Sequence, residues 1–295
     1  MLDDLRIASN SNLKLNESGL DSYKDCRDRE FFIRYPHRVE YHYNSRGFRD
    51  SEWPENPRQA VWCVGDSFTV GLGAPLDRTW PYLLKQKLNK PGITIAMDGG
   101  SNEWICRRVN DITQQAEPAL FVIMWSYANR REIPNSPLPD DRRRVWATPD
   151  SDEQDFYNWL RCFRQIKALG VPALHFAIPN AHAIFDVEKR IVDLWQNVRA
   201  PSWPIDAPTS IEHFEQFDHS IKMDFLKNNK DAVKDLFKLF HLKSLKQQYL
   251  TELSEVVLVP QLDYSRDCHH FDVLTATWVV DQAVGKLAET NTDLL

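Results

Sequence analysis

Short, uninterrupted apolar runs alternate with amphipathic stretches from residue 60 to the C-terminal end, and that alternation leaves few folds open. The runs are "AVWCV" (60–64), "ITIAM" (93–97), "ALFVIMW" (119–125), "PALHFAI" (172–178) and "VVLVP" (256–260). None alternates polar with apolar, so each reads as a strand buried on both faces. Between them lie helical patterns. One places Trp80, Leu83, Leu84 and Leu88 on one face. "SNEWICRRVNDITQQ" follows, with Ser101 positioned to cap it. A longer helix at 152–170 aligns Phe156, Trp159, Leu160 and Phe163 and stops at Gly170. A last one, from Asp272, aligns Val273, Ala276, Val280, Val284 and Leu287. Strands separated by helices predict a three-layer α/β/α sandwich around a mostly parallel sheet of about five strands.

Two segments fall outside this rhythm. Residues 1–58 are polar and aromatic with weak periodicity and end in "SEWPENP". They are expected to form an N-terminal extension packed on a core domain at 59–295. Residues 180–250, between the last two strands, read as mostly helical, with Val233, Leu236, Phe237 and Phe240 at helical spacing. That is too long for an ordinary connection, so it is an insertion, expected to cap the fold or thicken it.

Composition excludes several classes of function. A net charge of −6 supplies no basic footprint for nucleic acid. The densest basic cluster, "DDRRRVW" (140–146), adjoins two aspartates and reads as a solvated loop. The five cysteines (Cys26, Cys63, Cys106, Cys162 and Cys268) show neither paired spacing nor a CxxC metal pattern. The N-terminal stretch is polar, and no run nears the roughly 20 apolar residues that cross a bilayer. The expectation is a cytoplasmic protein without a membrane span.

In open parallel sheets, ligands bind beyond the carboxyl ends of the strands. Four polar stretches fall there: "GDS" (65–67), "DGGSN" (98–102), "SYANRRE" (126–132) and "SRDCHHFD" (265–272). In "VGDSFTVGLG" (64–73), Gly and Asp permit a tight turn that would hold Ser67 proud of the sheet. A serine nucleophile needs a base, and the base needs an orienting carboxylate. Asp267 and His270 share one short turn, so a single carboxylate could hold the imidazole while its other nitrogen faces Ser67. The glycine pair of "DGGSN" leads into a helix and could present backbone N–H groups to a developing negative charge.

These residues carry a resemblance. "GDSFTVG" resembles the first sequence block of the SGNH (GDSL-type) hydrolases, "GGSN" resembles the second, and Asp267-x-x-His270 resembles the terminal block, in the family's order. "YNSRGFRD" (43–50) is similar to a segment that often precedes the serine block. The resemblance covers roughly residues 43–130 and 255–290 and implies an SGNH/flavodoxin-like fold and an ester hydrolase working through an acyl-enzyme. It makes Ser67 the nucleophile, His270 the general base and Asp267 its orienter. The Ser67 amide, the Gly99 amide and the Asn129 side chain would form the oxyanion hole, with Gly100 the alternative to Gly99. The third block departs from the family's Gly-x-Asn-Asp, since "WSYANRRE" offers Asn129 without that glycine or aspartate. Asp66 reads as a turn residue and not as an acid catalyst.

The implied substrate is a small-molecule or carbohydrate O-acyl ester, such as an O-acetyl ester, with no cofactor and no metal. An O-acyltransferase using the same triad and a non-catalytic module of the same fold are the competing readings. "HHFD" with Cys268 could also be read as a metal cluster, but no second ligand pair lies nearby in sequence. His175, inside a strand, and His182 read as structural.

Overall fold

The computed structural model describes residues 19–20, 27–132, 144–145 and 151–289. Cys26 and most of "DDRRRVW" lie outside them. In chain order the elements begin with β1 (Gly19–Leu20), α1 (Arg29–Arg34) and β2 (Glu40–Tyr41). The first two core strands follow with their helices: β3 (Val61–Gly65), α2 (Ser67–Val70), α3 (Trp80–Leu88), β4 (Gly92–Ala96) and α4 (Asn102–Gln115). Next come β5 (Leu120–Trp125), the short strands β6 (Arg131–Glu132) and β7 (Arg144–Val145), α5 (Asp152–Ala168) and β8 (Ala173–Ala177). Then α6 (Val187–Val198), α7 (Ile211–Glu215), α8 (His219–Asn228), α9 (Lys230–Gln248) and α10 (Leu250–Ser254) precede β9 (Val256–Leu258) and α11 (Val273–Glu289).

The central sheet has five strands in the order β4-β3-β5-β8-β9, every pair parallel. Counted along the chain, these strands stand 2-1-3-4-5, the flavodoxin-like doubly wound order. Every residue of β3 and β5 is buried, as strands covered by helices on both faces require. Side chains such as Val64, Ile95 and Ile123 are fully excluded from water, each contributing about 1.5–3 kcal/mol of hydrophobic stabilisation.

The chain divides into two compact units. The sheet belongs to the first, Met1–Pro149, Tyr157–Ala181 and Glu255–Leu295. There Ser101 caps α4 by accepting the Trp104 N–H at 3.1 Å. Gly170 ends α5 at φ +69°, a left-handed turn that suits glycine. The apolar stripe of α11 differs in part from expectation. Thr275, Ala276, Val279, Val280, Ala283 and Leu287 are buried, whereas Val273 and Val284 are only partly so. The stripe begins later because Asp272 precedes the helix and turns its carboxylate to the Tyr35 hydroxyl and the Arg78 guanidinium.

The second unit, Asp150–Phe156 and His182–Ser254, is the expected helical insertion plus the start of α5. Its core is aromatic: Trp195 lies against Trp203, Phe217 and Phe225, with ring centroids 5.3, 5.5 and 5.7 Å away. Leu236, Leu239 and Phe240 form the buried face of α9. No helix among the described residues is long and apolar enough to cross a membrane.

Candidate active site

The site is built where β3 and β5 end side by side, the point at which the sheet's winding reverses. Asp66 follows β3 and caps the four-residue α2 by accepting the Phe68 N–H at 3.0 Å. That cap turns the chain sharply, and Ser67 becomes the first helical residue, 1% exposed. Its neighbour Gly65 has no room for a side chain, since a Cβ there would come within 2.0 Å of Thr69 Oγ1.

Opposite, the turn Arg266–His270 precedes α11. Cys268 adopts φ +57°, a backbone conformation rare outside glycine, and the reversal it makes brings His270 back over Asp267. Asp267 Oδ1 accepts the backbone N–H groups of His269 (2.9 Å) and His270 (3.0 Å). Its Oδ2 lies 2.5 Å from His270 Nδ1. His270 Nε2 lies 2.8 Å from Ser67 Oγ. A carboxylate can only accept, so the imidazole proton sits on Nδ1 and leaves Nε2 free to take the serine proton. Burial alone would raise the Asp267 carboxyl, but the hydrogen bonds and charge of His270 outweigh it and hold the carboxyl down at about 2. The three residues singled out in the sequence thus form one continuous hydrogen-bonded chain.

The two candidate glycines separate. The Gly100 N–H donates to Met97 O at 2.9 Å, within the turn that follows β4. Gly99, at φ +65°, and Ser67 have backbone N–H groups that meet no acceptor among the described residues. Asn129 stands differently from these two buried backbone donors. It is exposed on the turn after β5, and its side chain bonds to nothing among the described residues.

The β5 loop reaches the Ser67 turn through other residues. Ser126 Oγ donates to Asp66 Oδ2 at 2.6 Å and Arg130 Nη1 donates to the same oxygen at 2.8 Å. Both partners of this ion pair are buried, Asp66 at 0% and Arg130 at 3% exposure. Asn102, at the start of α4, accepts the Ser126 N–H at 2.9 Å and donates to Ser126 O at 3.3 Å, tying the second loop to the third.

The segment before the sheet holds the far end of the Ser67 loop. Arg49 is buried and donates to the carbonyls of Val70 (3.1 Å), Gly71 (2.5 Å) and Ala74 (2.7 Å). Tyr41 Oη accepts the Gly73 N–H at 2.7 Å. Gly73 O in turn accepts the Arg266 N–H at 2.9 Å, and Ser265 Oγ lies within hydrogen-bond distance of Leu72 O and Asp267 Oδ1. One strap therefore couples the serine loop to the histidine turn. Arg49, Asn102, Ser126 and Arg130 were not singled out from sequence. All four do lie inside the quoted "YNSRGFRD", "DGGSN" and "SYANRRE" stretches, which was the available signal.

His269 packs its ring on Phe68, centroids 5.3 Å apart, with its Nε2 3.4 Å from Arg27 Nη2. Burial, with nearby His270 and Arg27, pushes its imidazole down to about 4, so it is neutral around pH 7. His175 is buried among aromatic rings, stacked on Trp125 at 5.8 Å, and burial pushes it down to about 3. Among the described residues no group of three or more His, Cys, Asp or Glu side chains could hold a metal ion.

No protein-family model matches the chain, and neither does any curated protein. Solved structures resemble it at low identity. TesA is 14% identical with a TM-score of 0.40, over 80% of this chain and 100% of that one. A family two carbohydrate esterase from Clostridium thermocellum, in complex with cellohexaose, is 11% identical with a TM-score of 0.42, over 82% and 67%. The psychrotrophic esterase EstA from Pseudoalteromonas sp. is 12% identical with a TM-score of 0.38, over 79% and 100%. At these identities and TM-scores the likeness carries no conclusion about the activity of this chain.

Proposed function

We propose that the protein is a serine ester hydrolase in which Ser67 is the nucleophile, His270 the general base and Asp267 the group that orients it. The observation that carries this reading is His270 bridging Ser67 Oγ at 2.8 Å and Asp267 Oδ2 at 2.5 Å. Ser67 Oγ attacks the ester carbonyl as its proton passes to His270 Nε2. The carbonyl π pair moves to oxygen, giving a tetrahedral oxyanion. Asp267 stays ionised and stabilises the imidazolium. The oxyanion faces the free N–H groups of Ser67 and Gly99, donors already fixed in place before charge develops. Collapse expels the alcohol, which takes the proton from His270 Nε2, and leaves an acyl-serine. Water, deprotonated by His270, then releases the carboxylic acid and frees Ser67.

The buried pair of Asp66 and Arg130 serves this cycle indirectly, by fixing the turn that aims Ser67. The test is hydrolysis of a 4-nitrophenyl ester series from acetyl to long acyl chains by the wild-type chain and by Ser67→Ala. The expected result is turnover by the wild type on at least one ester and none above background by the variant. Equal turnover by both would remove Ser67 from the reaction.

A further inference from the structure

A group of polar and charged side chains borders the Ser67–His270–Asp267 set on the Phe68 side. Phe68 has two polar neighbours: its ring centroid is 6.3 Å from that of Tyr127 and 5.3 Å from that of His269. Beyond His269 stands Arg27, whose Nη2 lies 3.4 Å from His269 Nε2. Because His269 is neutral, its Nε2 can accept from that guanidinium and orient it.

Arg27 is not a stray surface residue. Its backbone N–H donates to Asp267 O at 3.1 Å, which joins it to the catalytic turn. The next residue, Asp28, caps α1 by accepting the N–H groups of Glu30 and Phe31. Arg266 then secures α1, lying over the Phe32 ring at 3.9 Å and donating to Phe32 O at 3.2 Å. The side chain held in this way is exposed and pairs with no carboxylate among the described residues. The Tyr127 hydroxyl, whose ring also neighbours Phe68, likewise meets no acceptor among them. Arg27 and Arg130 both act electrostatically on His269 and on Tyr127, against Asp267 at the first and Asp66 at the second. Arg130 is neutralised by Asp66, whereas Arg27 meets no such carboxylate among the described residues.

We infer that the substrate of this esterase carries a carboxylate at some remove from the scissile ester, received by the Arg27 guanidinium with the Tyr127 hydroxyl as a second donor. The inference rests on the proposed function. One unpaired guanidinium matches a monoanion, and its planar fork suits a carboxylate. The acid's charge would otherwise repel the Asp267 side of the site, so Arg27 also sets the direction in which substrate enters.

The test compares mono-4-nitrophenyl adipate with methyl 4-nitrophenyl adipate, which differ only in the distal charge. The six-carbon diacid is too long to close on its own ester as an anhydride. The wild-type chain is expected to favour the charged ester by about tenfold or more in kcat/KM, the size of a charge-assisted hydrogen bond at a half-exposed site. That preference should shrink as sodium chloride is raised. Arg27→Gln should reduce the preference to near unity, and Tyr127→Phe should reduce it by a smaller factor. No preference in the wild-type chain overturns the inference, and so does a preference that survives Arg27→Gln. Equal losses on both esters in that variant also overturn it, by reducing Arg27 to support for the turn. Failure of the triad reading looks different: neither ester is turned over, and the substrate inference falls with it.

Discussion

Replacing Arg130 by methionine should destabilise the sheet by about 3–5 kcal/mol, because it strands a buried carboxylate. The magnitude follows from the surroundings of Asp66. Its Oδ1 accepts one backbone N–H, and its Oδ2 accepts Ser126 Oγ and Arg130 Nη1. Without the guanidinium, two neutral donors remain to offset a negative charge with 0% exposure. Neutral hydrogen bonds net only about 1 kcal/mol each, well short of the desolvation cost of the charge. Asp66→Asn in the Arg130→Met background removes that charge and keeps the cap on the Phe68 N–H. The double variant should therefore be more stable than the sum of the two single effects by about 2 kcal/mol or more. Native-state hydrogen exchange of the β3 and β5 amides is the suitable assay, since it reads opening of the sheet and not of the helical unit. A cost below about 1 kcal/mol for Arg130→Met, or strict additivity, would refute the reasoning.

Other consequences are equally direct. His270→Ala should lower kcat by about 10³-fold or more, whereas His269→Ala should cost less than about tenfold on a neutral ester, measured in parallel on 4-nitrophenyl acetate. Asp267→Asn should lower kcat by up to about 10⁴-fold with KM little changed, since the imidazole would lose its tautomer. Because the Asp267 carboxyl is held down at about 2, its stabilising contribution is complete above the ordinary carboxylate range and is lost as pH falls through about 2. Acid titration of unfolding in the wild-type chain and in Asp267→Asn should differ in that window and converge below it. Gly73→Ala should lower activity and stability together, because at φ +73° its Cβ would press within 2.6 Å of Ser265 Oγ and 3.0 Å of the Asp267 backbone nitrogen. Chevron or thermal data beside 4-nitrophenyl acetate kinetics check both.

Much of the sheet could be read from the chain because each strand is buried on both faces. "ALFVIMW" needs no partner to declare itself, and β5 occupies 120–125 of the 119–125 expected. Strand order was not legible in the same way, since it depends on which face each crossover helix takes. The hydrogen-bonded set of Ser67, His270 and Asp267 was legible because Asp267 and His270 are local, three residues apart on one turn, and Ser67 lies on a marked Gly-Asp-Ser turn. The supporting residues were not, because their partners are remote in sequence. Arg130 meets Asp66 across 64 positions, and Arg49 meets the 70–74 carbonyls across more than twenty. A lone arginine in a polar loop gives no sign that it will be buried. Asn129 was singled out by its residue type, and what the sequence did not disclose is that it is exposed on the turn after β5.

The central claim is that Ser67 is an activated nucleophile, and intact-protein mass spectrometry after exposure to a fluorophosphonate tests it most directly. The wild-type chain should gain one phosphonyl group, mapped by peptide sequencing to Ser67. Ser67→Ala should gain none, and His270→Ala should label far more slowly at pH 7 because the serine proton then has no acceptor. Labelling of Ser67→Ala at the wild-type rate, or an unlabelled wild-type chain that is demonstrably folded, would contradict the account.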